Sequence, residues 1–251
     1  MNVLVCVKRV PLTGGRITLT PDEQAIQTRH LGFTISPHEE CGAEEAIRLV
    51  EHHGGSSTVL TLGPAEAEEQ LRDMMAIGID RGIHLVTDGG EWDPQATAAA
   101  IVDAIGSDSE QFDLILFGNE SADAGNYQVA IRVATTLGLP CVNGVKGIDV
   151  RDGQLRCEQE VPGGRDVYLV PMPAVVTVKE GLNLPRYPSV PGRLRAKRKP
   201  VESSSPPRAS ARLEMVRLVL PEGSKKEAEI LGRGPEAAPV VVEKLRELGL
   251  V

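Results

Sequence analysis

No apolar run in this chain approaches the roughly 20 residues that a helix needs to cross a bilayer, so the sequence argues against membrane insertion. Its first residues enter a strand at once and show no signal-peptide pattern, from which a cytoplasmic location is expected. Cysteine is scarce. Cys6, Cys41, Cys141 and Cys157 form no CxxC pair and have no histidine at metal-ligand spacing, which excludes a recognisable zinc site and a disulfide framework. A GxxxxGK[ST] loop is missing, as is an SGGxDS-like loop after the first strand, and no convincing catalytic triad or carboxylate pair stands out. Basic residues are outnumbered, 27 against 35 acidic, and the resulting net charge of −8 argues against a general nucleic-acid binder.

What the chain does have is alternation of short apolar runs with helical patterns, the mark of a parallel sheet flanked by helices. Val3-Leu4-Val5-Cys6-Val7 is apolar throughout, as in a central strand covered on both faces. Arg16 to Thr20 alternates like a small hairpin strand. Ser36-Pro37 opens a helix that ends near Gly54-Gly55, followed by a strand from Ser57 to Leu62. Pro64 then starts a helix through Ile77, Gly82 to Val86 forms a strand, and Asp93-Pro94 opens a helix through Ile105. A fourth strand, Asp113 to Phe117, precedes the stretch from Gly118 to Pro140. The four βα units predict a doubly wound, mostly parallel α/β sheet with helices on both faces. Its ligand site is expected at the carboxyl ends of the strands, where Cys6-Val7, Leu62-Gly63 and Gly118 lie.

The turn after Gly118 carries the most information. Asp123, Gly125 and Asn126 are at ease in a turn or a helix cap, and a helix starting there aims unpaired N–H groups outward, a setting that attracts phosphate without any lysine or arginine. The same pattern also serves an ordinary capped βα connection. Beyond Pro140 the pattern becomes strands at Val145 to Val150, Leu155 to Glu160, Asp166 to Val170 and Ala174 to Lys179, read as antiparallel additions to the sheet. Gly181 to Pro191 reads as a loop, Arg193 to Lys199 as a basic run, and Ser203-Ser204-Ser205-Pro206-Pro207 as a linker. Arg212 to Leu220 reads as one more strand and Ala237 to Leu248 as an amphipathic helix. The domain expectation is a core over residues 1–200 with a C-terminal arm over 201–251 that packs on another surface.

Several segments together resemble the beta subunit of electron-transfer flavoproteins. They are Val5-Cys6-Val7-Lys8-Arg9-Val10-Pro11, the helix opening at Ser36-Pro37 with Glu40, Glu44, Glu45 and Ala46, Leu62-Gly63-Pro64, Gly78-Ile79-Asp80-Arg81-Gly82, the turn from Gly118 to Ala130, and Leu182-Asn183-Leu184-Pro185-Arg186-Tyr187-Pro188. Their order and spacing hold across about 200 residues. The tail from Met215 to Gly234 resembles that of beta subunits serving amine dehydrogenases. The resemblance implies a heterodimer in which an alpha subunit holds the redox-active FAD and this chain buries a structural AMP. Electrons would pass from acyl-CoA or amine dehydrogenases to the flavin and on to a quinone reductase or other acceptor, with no catalytic residue on this chain.

By the same resemblance the adenine lies near Cys6, Ser36, Pro37, His38, Glu39 and Leu62. The phosphate lies against Gly118, Asp123, Ala124, Gly125, Asn126, Tyr127, Gln128 and Val129. Many relatives have Asn-Pro where this chain has Ser36-Pro37, and the usual acidic turn is here Asp123-Ala124-Gly125-Asn126, a change that backbone recognition survives. His38 equally reads as a surface or capping residue, and Cys6 as a small buried hydrophobe. Residues 181–191 are implied to be a recognition loop for the dehydrogenase, with Leu182, Leu184, Tyr187 and above all Val190 at an apolar tip. The other reading is a loop whose apolar side chains pack back on the sheet. Arg193 begins a basic run that reads either as a solvated charged stretch or as one that steers an acidic partner, and the resemblance implies that Glu160 contacts the flavin domain of alpha. Two alternatives remain: a bifurcating relative with a second FAD in place of AMP, for which Thr13, Gly14 and Gly15 leave room, and a stand-alone nucleotide-binding module.

Overall fold

A computed structural model of the chain describes all residues except 13, 15, 16 and 221–228. It falls into two units, Met1–Val216 and Arg217–Val251.

The first unit is built on a nine-stranded sheet. Apolar β1 (Asn2–Val7) leads through the two-residue strands β2 (Val10–Pro11) and β3 (Phe33–Thr34) into α1 (Pro37–His53). Next come β4 (Ser56–Gly63), a short 3-10 turn, α2 (Glu68–Ile77), β5 (Arg81–Val86), α3 (Pro94–Ser107), β6 (Leu114–Gly118) and α4 (Val129–Leu137). Four more strands follow, β7 (Cys141–Arg151), β8 (Gln154–Val161), β9 (Gly164–Pro171) and β10 (Ala174–Val178), then α5 (Val190–Ala196) and β11 (Val201–Ser204). The strand order is β11-β5-β4-β1-β6-β10-β7-β8-β9, parallel throughout except where β8 pairs antiparallel with β7 and with β9.

The chain winds outward from β1 to β4 and β5, then crosses to β6 on the other side of β1. The strand order therefore reverses between β1 and β6, which opens a crevice at their carboxyl ends. One core packs α1 and α2 on one face, with Val3, Val5, Leu71, Leu114, Leu116 and Val176 among its residues. The other packs α3 and α4 on the opposite face around Leu4, Leu60, Ile101, Ile115 and Val133. Alternate residues of β1 thus serve opposite cores, as the period of two requires.

The helix boundaries follow their sequence signals closely. Ser36 caps α1 with Pro37 in the first turn, Asp93 caps α3 by accepting from the Ala96 N–H at 2.7 Å, and Gly78 ends α2.

Several expectations need correction. β10 is not an antiparallel addition: it inserts between β6 and β7, parallel to both, because its five residues are all buried and need cover on two faces. β7 is parallel to β10 on one side and antiparallel to β8 on the other, so the antiparallel additions are the β7–β8–β9 meander. Arg16 lies outside the described residues, and Leu19 forms only an isolated bridge with Ile26 in place of a hairpin strand. Thr13 and Gly15 also lie outside them. Ser203 and Ser204 are not linker but part of edge strand β11, parallel to β5. Residues 212–220 form no strand.

Among the described residues of the second unit there is one α-helix, α6 (Ala238–Glu247), and it has no buried residue. Part of the Met215 to Gly234 stretch, residues 221–228, lies outside the described residues. No helix among the described residues is long and apolar enough to cross a membrane.

Candidate functional site

The crevice between β1 and β6 is lined from three directions. β1 brings Cys6 and, one residue past its end, Lys8; α1 brings Ser36, His38 and Glu39; β6 brings Gly118 and the loop 119–128 that leads into α4. Glu39 ties them together. Its carboxyl is buried, accepts from the Lys8 N–H at 3.0 Å and the Ser36 N–H at 3.0 Å, and completes a capping box with Ser36. Burial pushes its pKa up to about 8 against the two backbone donors that favour the ion. Gly118 is required by this packing. A Cβ there would stand 2.7 Å from the Glu39 Cγ, so β6 approaches the first turn of α1 only because the side chain is absent.

Lys8, which was not among the expected site residues, also stands at the mouth. Its ammonium lies 2.8 Å from the Asp123 carboxylate and 2.9 Å from Glu91, so it joins the ends of β1 and β5 to the loop after β6. Burial works against its charge, but the two carboxylates outweigh it and hold its pKa up. Asp123 responds in the opposite sense: burial opposes ionisation, yet the charge and hydrogen bond of Lys8 keep its carboxyl below the usual range. The only sequence signal for Lys8 was its place directly after a central strand, where charged side chains face the ligand end of such sheets.

The loop 119–128 holds two left-handed residues, Gly125 at φ 56° and Tyr127 at φ 55°. Such turns expose consecutive N–H groups on a concave side. α4 then begins at Val129, three residues later than a start at Asn126, and its N-cap Gln128 supplies no side-chain hydrogen bond to the first turn. Gln128 instead accepts from the Arg132 side chain. Of the remaining assigned residues, Ala124, Asn126 and Tyr127 are exposed, Leu62 is half-buried and Pro37 is exposed. Cys6 is buried, and desolvation, followed by the Glu39 charge, drives its thiol well above the usual range, so it is no nucleophile. His38 has its Nδ1 occupied by the Glu180 N–H at 2.9 Å and sits 3.6 Å from Glu120, which is a positional role beside the crevice.

Asn119 and Thr177 were not legible as site residues. The Thr177 hydroxyl donates to the Asn119 side chain at 2.9 Å and accepts from the Gly144 N–H at 2.8 Å, fastening the start of the loop to β10 and β7. Finding them required knowing that β10 lies next to β6.

A second cluster lies over α1. Leu184, Tyr187 and Val190 are 90%, 95% and 74% exposed, so the tip of residues 181–191 projects outward. Leu182 does not belong to it: the side chain packs against the core beside α1. Val190 is not in the loop but is the first residue of α5, capped by Ser189, which places Arg193 on a helix where it pairs with Asp73 at 3.0 Å. Lys199 leaves the basic run altogether, its ammonium donating to the carbonyls of Met75, Gly78 and Ile79. Glu160, on β8, is paired with Lys146 at 2.8 Å and remains half-exposed. The four cysteines are free, and no cluster of metal ligands occurs among the described residues.

A doubly wound sheet with its crevice at the strand-order reversal defines the class. The comparisons narrow it further. An electron transfer flavoprotein domain model matches residues 25–209. Among curated relatives, the electron transfer flavoprotein subunit beta of Bacillus subtilis is 36% identical over 202 residues, covering 80% of this chain and 78% of that protein. The subunit beta of Syntrophomonas wolfei is 36% identical over 88% of this chain and 86% of its own, and that of Bradyrhizobium diazoefficiens is 31% identical over the full length of both. The chain belongs to the electron transfer flavoprotein beta-subunit family. A role in flavoprotein electron transfer goes with that membership.

Proposed function

We propose that this chain is the nucleotide-bearing platform of a heterodimeric electron carrier. AMP sits in the crevice between β1 and β6, an alpha subunit holds FAD, and dehydrogenases dock on the projecting tip formed by Leu184, Tyr187 and Val190. The observation that carries the reading is the turn from Gly118 to Gln128, which ends in a helix whose first turn has no side-chain cap. Uncapped N–H groups at a helix start, next to left-handed Gly125 and Tyr127, suit a phosphate. Lys8, paired with Asp123 and Glu91, stands at the same mouth. The residues present therefore fit a nucleoside monophosphate.

FAD, when bound, supplies the redox chemistry of the assembly. This chain's part is to bind and to orient. Glu39, held by two backbone donors, fixes the start of α1 against β1, and Gly118 lets the phosphate loop lie close to it. Cys6, kept as a thiol, contributes a small apolar wall. The C-terminal unit, with an α6 that buries nothing, suits an arm that packs on the alpha subunit; acceptors such as a quinone reductase would receive the electrons.

The test is a count of the nucleotides released by denaturing the chain purified together with its alpha subunit. One AMP and one FAD per heterodimer are expected. Two FAD would replace the reading with a bifurcating carrier, and loss of all AMP would remove the assignment of Gly118 to Val129.

A further inference from the structure

Residues 180 to 189 contain no regular structure, yet they are fastened along one side of α1. The Glu180 N–H donates to His38 at 2.9 Å. Asn183 donates to the Cys41 carbonyl at 3.0 Å and to Glu45 at 2.9 Å. Arg186 makes the largest set: its backbone N–H, Nε and one terminal nitrogen reach the Glu44 carboxylate at 3.1, 2.9 and 3.0 Å, and its two terminal nitrogens reach Glu51 at 2.7 and 3.0 Å. Residues 180, 183 and 186 therefore turn toward the helix, while Leu184, Tyr187 and Val190 turn away from it. Leu182, in the same segment, packs inward against the core instead.

We propose that Arg186 is the positioning residue of the docking surface: clamped between Glu44 and Glu51, it holds the loop in the shape that presents Leu184 and Tyr187 beside Val190. The proposal rests on the docking reading above. Glu44 is buried and supplies a fixed anchor, and the planar guanidinium answers two carboxylates at once in a way that an ammonium cannot. A loop already in its bound shape has less conformational freedom to lose when a partner arrives. The partner's chemistry follows from the surroundings. Arg195, Lys197 and Arg198 lie exposed close in sequence to Val190, on a chain whose overall charge is −8, so the fitting surface is a protein with an apolar pocket rimmed by carboxylates.

The experiment uses the intact heterodimer, with whichever acyl-CoA or amine dehydrogenase reduces the unmodified heterodimer as the probe. Arg186→Gln is expected to raise the KM for the heterodimer about tenfold, equivalent to a loss of about 1.4 kcal/mol in docking, with kcat and flavin content little changed. Glu51→Gln, at an exposed carboxylate that cannot unfold the chain, should give a smaller rise in the same direction, and Arg186→Lys should recover only part of the loss. Hydrogen exchange over residues 181–189 should quicken in Arg186→Gln while β1 and β4 stay protected. If Val190→Ala raises KM but Arg186→Gln and Glu51→Gln do not, the clamp is overturned and docking stands. If Val190→Ala leaves KM unchanged as well, the docking reading falls and the clamp's role falls with it.

Discussion

Glu39 shows how one residue can serve packing and carry a cost. Its folded-state pKa of about 8 lies above the ordinary 4.5, so the folded chain holds this proton more tightly than the unfolded chain does. Its contribution is therefore most favourable below the ordinary value, declines as pH rises between the two, and levels off above about 8. Replacement by glutamine keeps one acceptor and removes the titration. The melting midpoint of Glu39→Gln relative to the unmodified protein is thus expected to improve steadily between about pH 5 and pH 8, and a pH-independent difference would show that Glu39 stays ionised in the fold. Lys8 and Asp123, beside Glu39 in the same crevice, have shifts that reinforce each other: the pair keeps both groups charged at neutral pH.

Among the helices, α2 and α5 make a close contact. A Cβ on Gly192 would stand 2.4 Å from the Ala76 carbonyl oxygen, so α5 lies directly on the C-terminal end of α2. Arg72 donates to the carbonyls of Ala196 and Lys199 at the end of α5, and Lys199 returns the service to the carbonyls at the end of α2. Burial lowers the Lys199 pKa, with the Asp80 charge acting against it. Gly192→Ala should push α5 away and lower stability by about 1–3 kcal/mol, read as a fall in the midpoint of chemical denaturation without a change in its slope. A wild-type midpoint would mean that α5 sits farther from α2 than the geometry implies. Because α5 starts at Val190, the same displacement moves the projecting tip proposed for docking.

At the scale of the whole molecule, the buried residues of both cores lie between Val3 and Ala196, within the first unit. Deletion of residues 217–251 is therefore expected to leave cooperative melting of the first unit within a few degrees of the full chain, because that unit carries both cores itself. Melting lowered by much more than that would show that the second unit supports the core. Loss of heterodimer formation in the same truncated chain would fit the arm proposed for the alpha subunit.

Local signals were enough to read the helices and the parallel strands as far as Pro140. Ser36-Pro37, Asp93-Pro94 and Gly78 act within one turn of chain, and the apolar runs of β1, β4 and β6 state that both faces are covered. The turn after Gly118 was legible for the same reason, since left-handed residues and helix starts are local. The position of β10 was not: five buried apolar residues look alike in an edge hairpin and in a central strand, and only pairing with β6 and β7 decides between them. The inward turn of Leu182 and Lys199, the Asn119–Thr177 bond and the Arg186 clamp join residues from 58 to more than a hundred positions apart. The sequence alone determined which stretches form helices and strands and which family they resemble. The tertiary structure decided which strand stands beside which, and hence which side chains face the crevice or the solvent, because those choices minimise buried polar and exposed apolar surface over the whole fold.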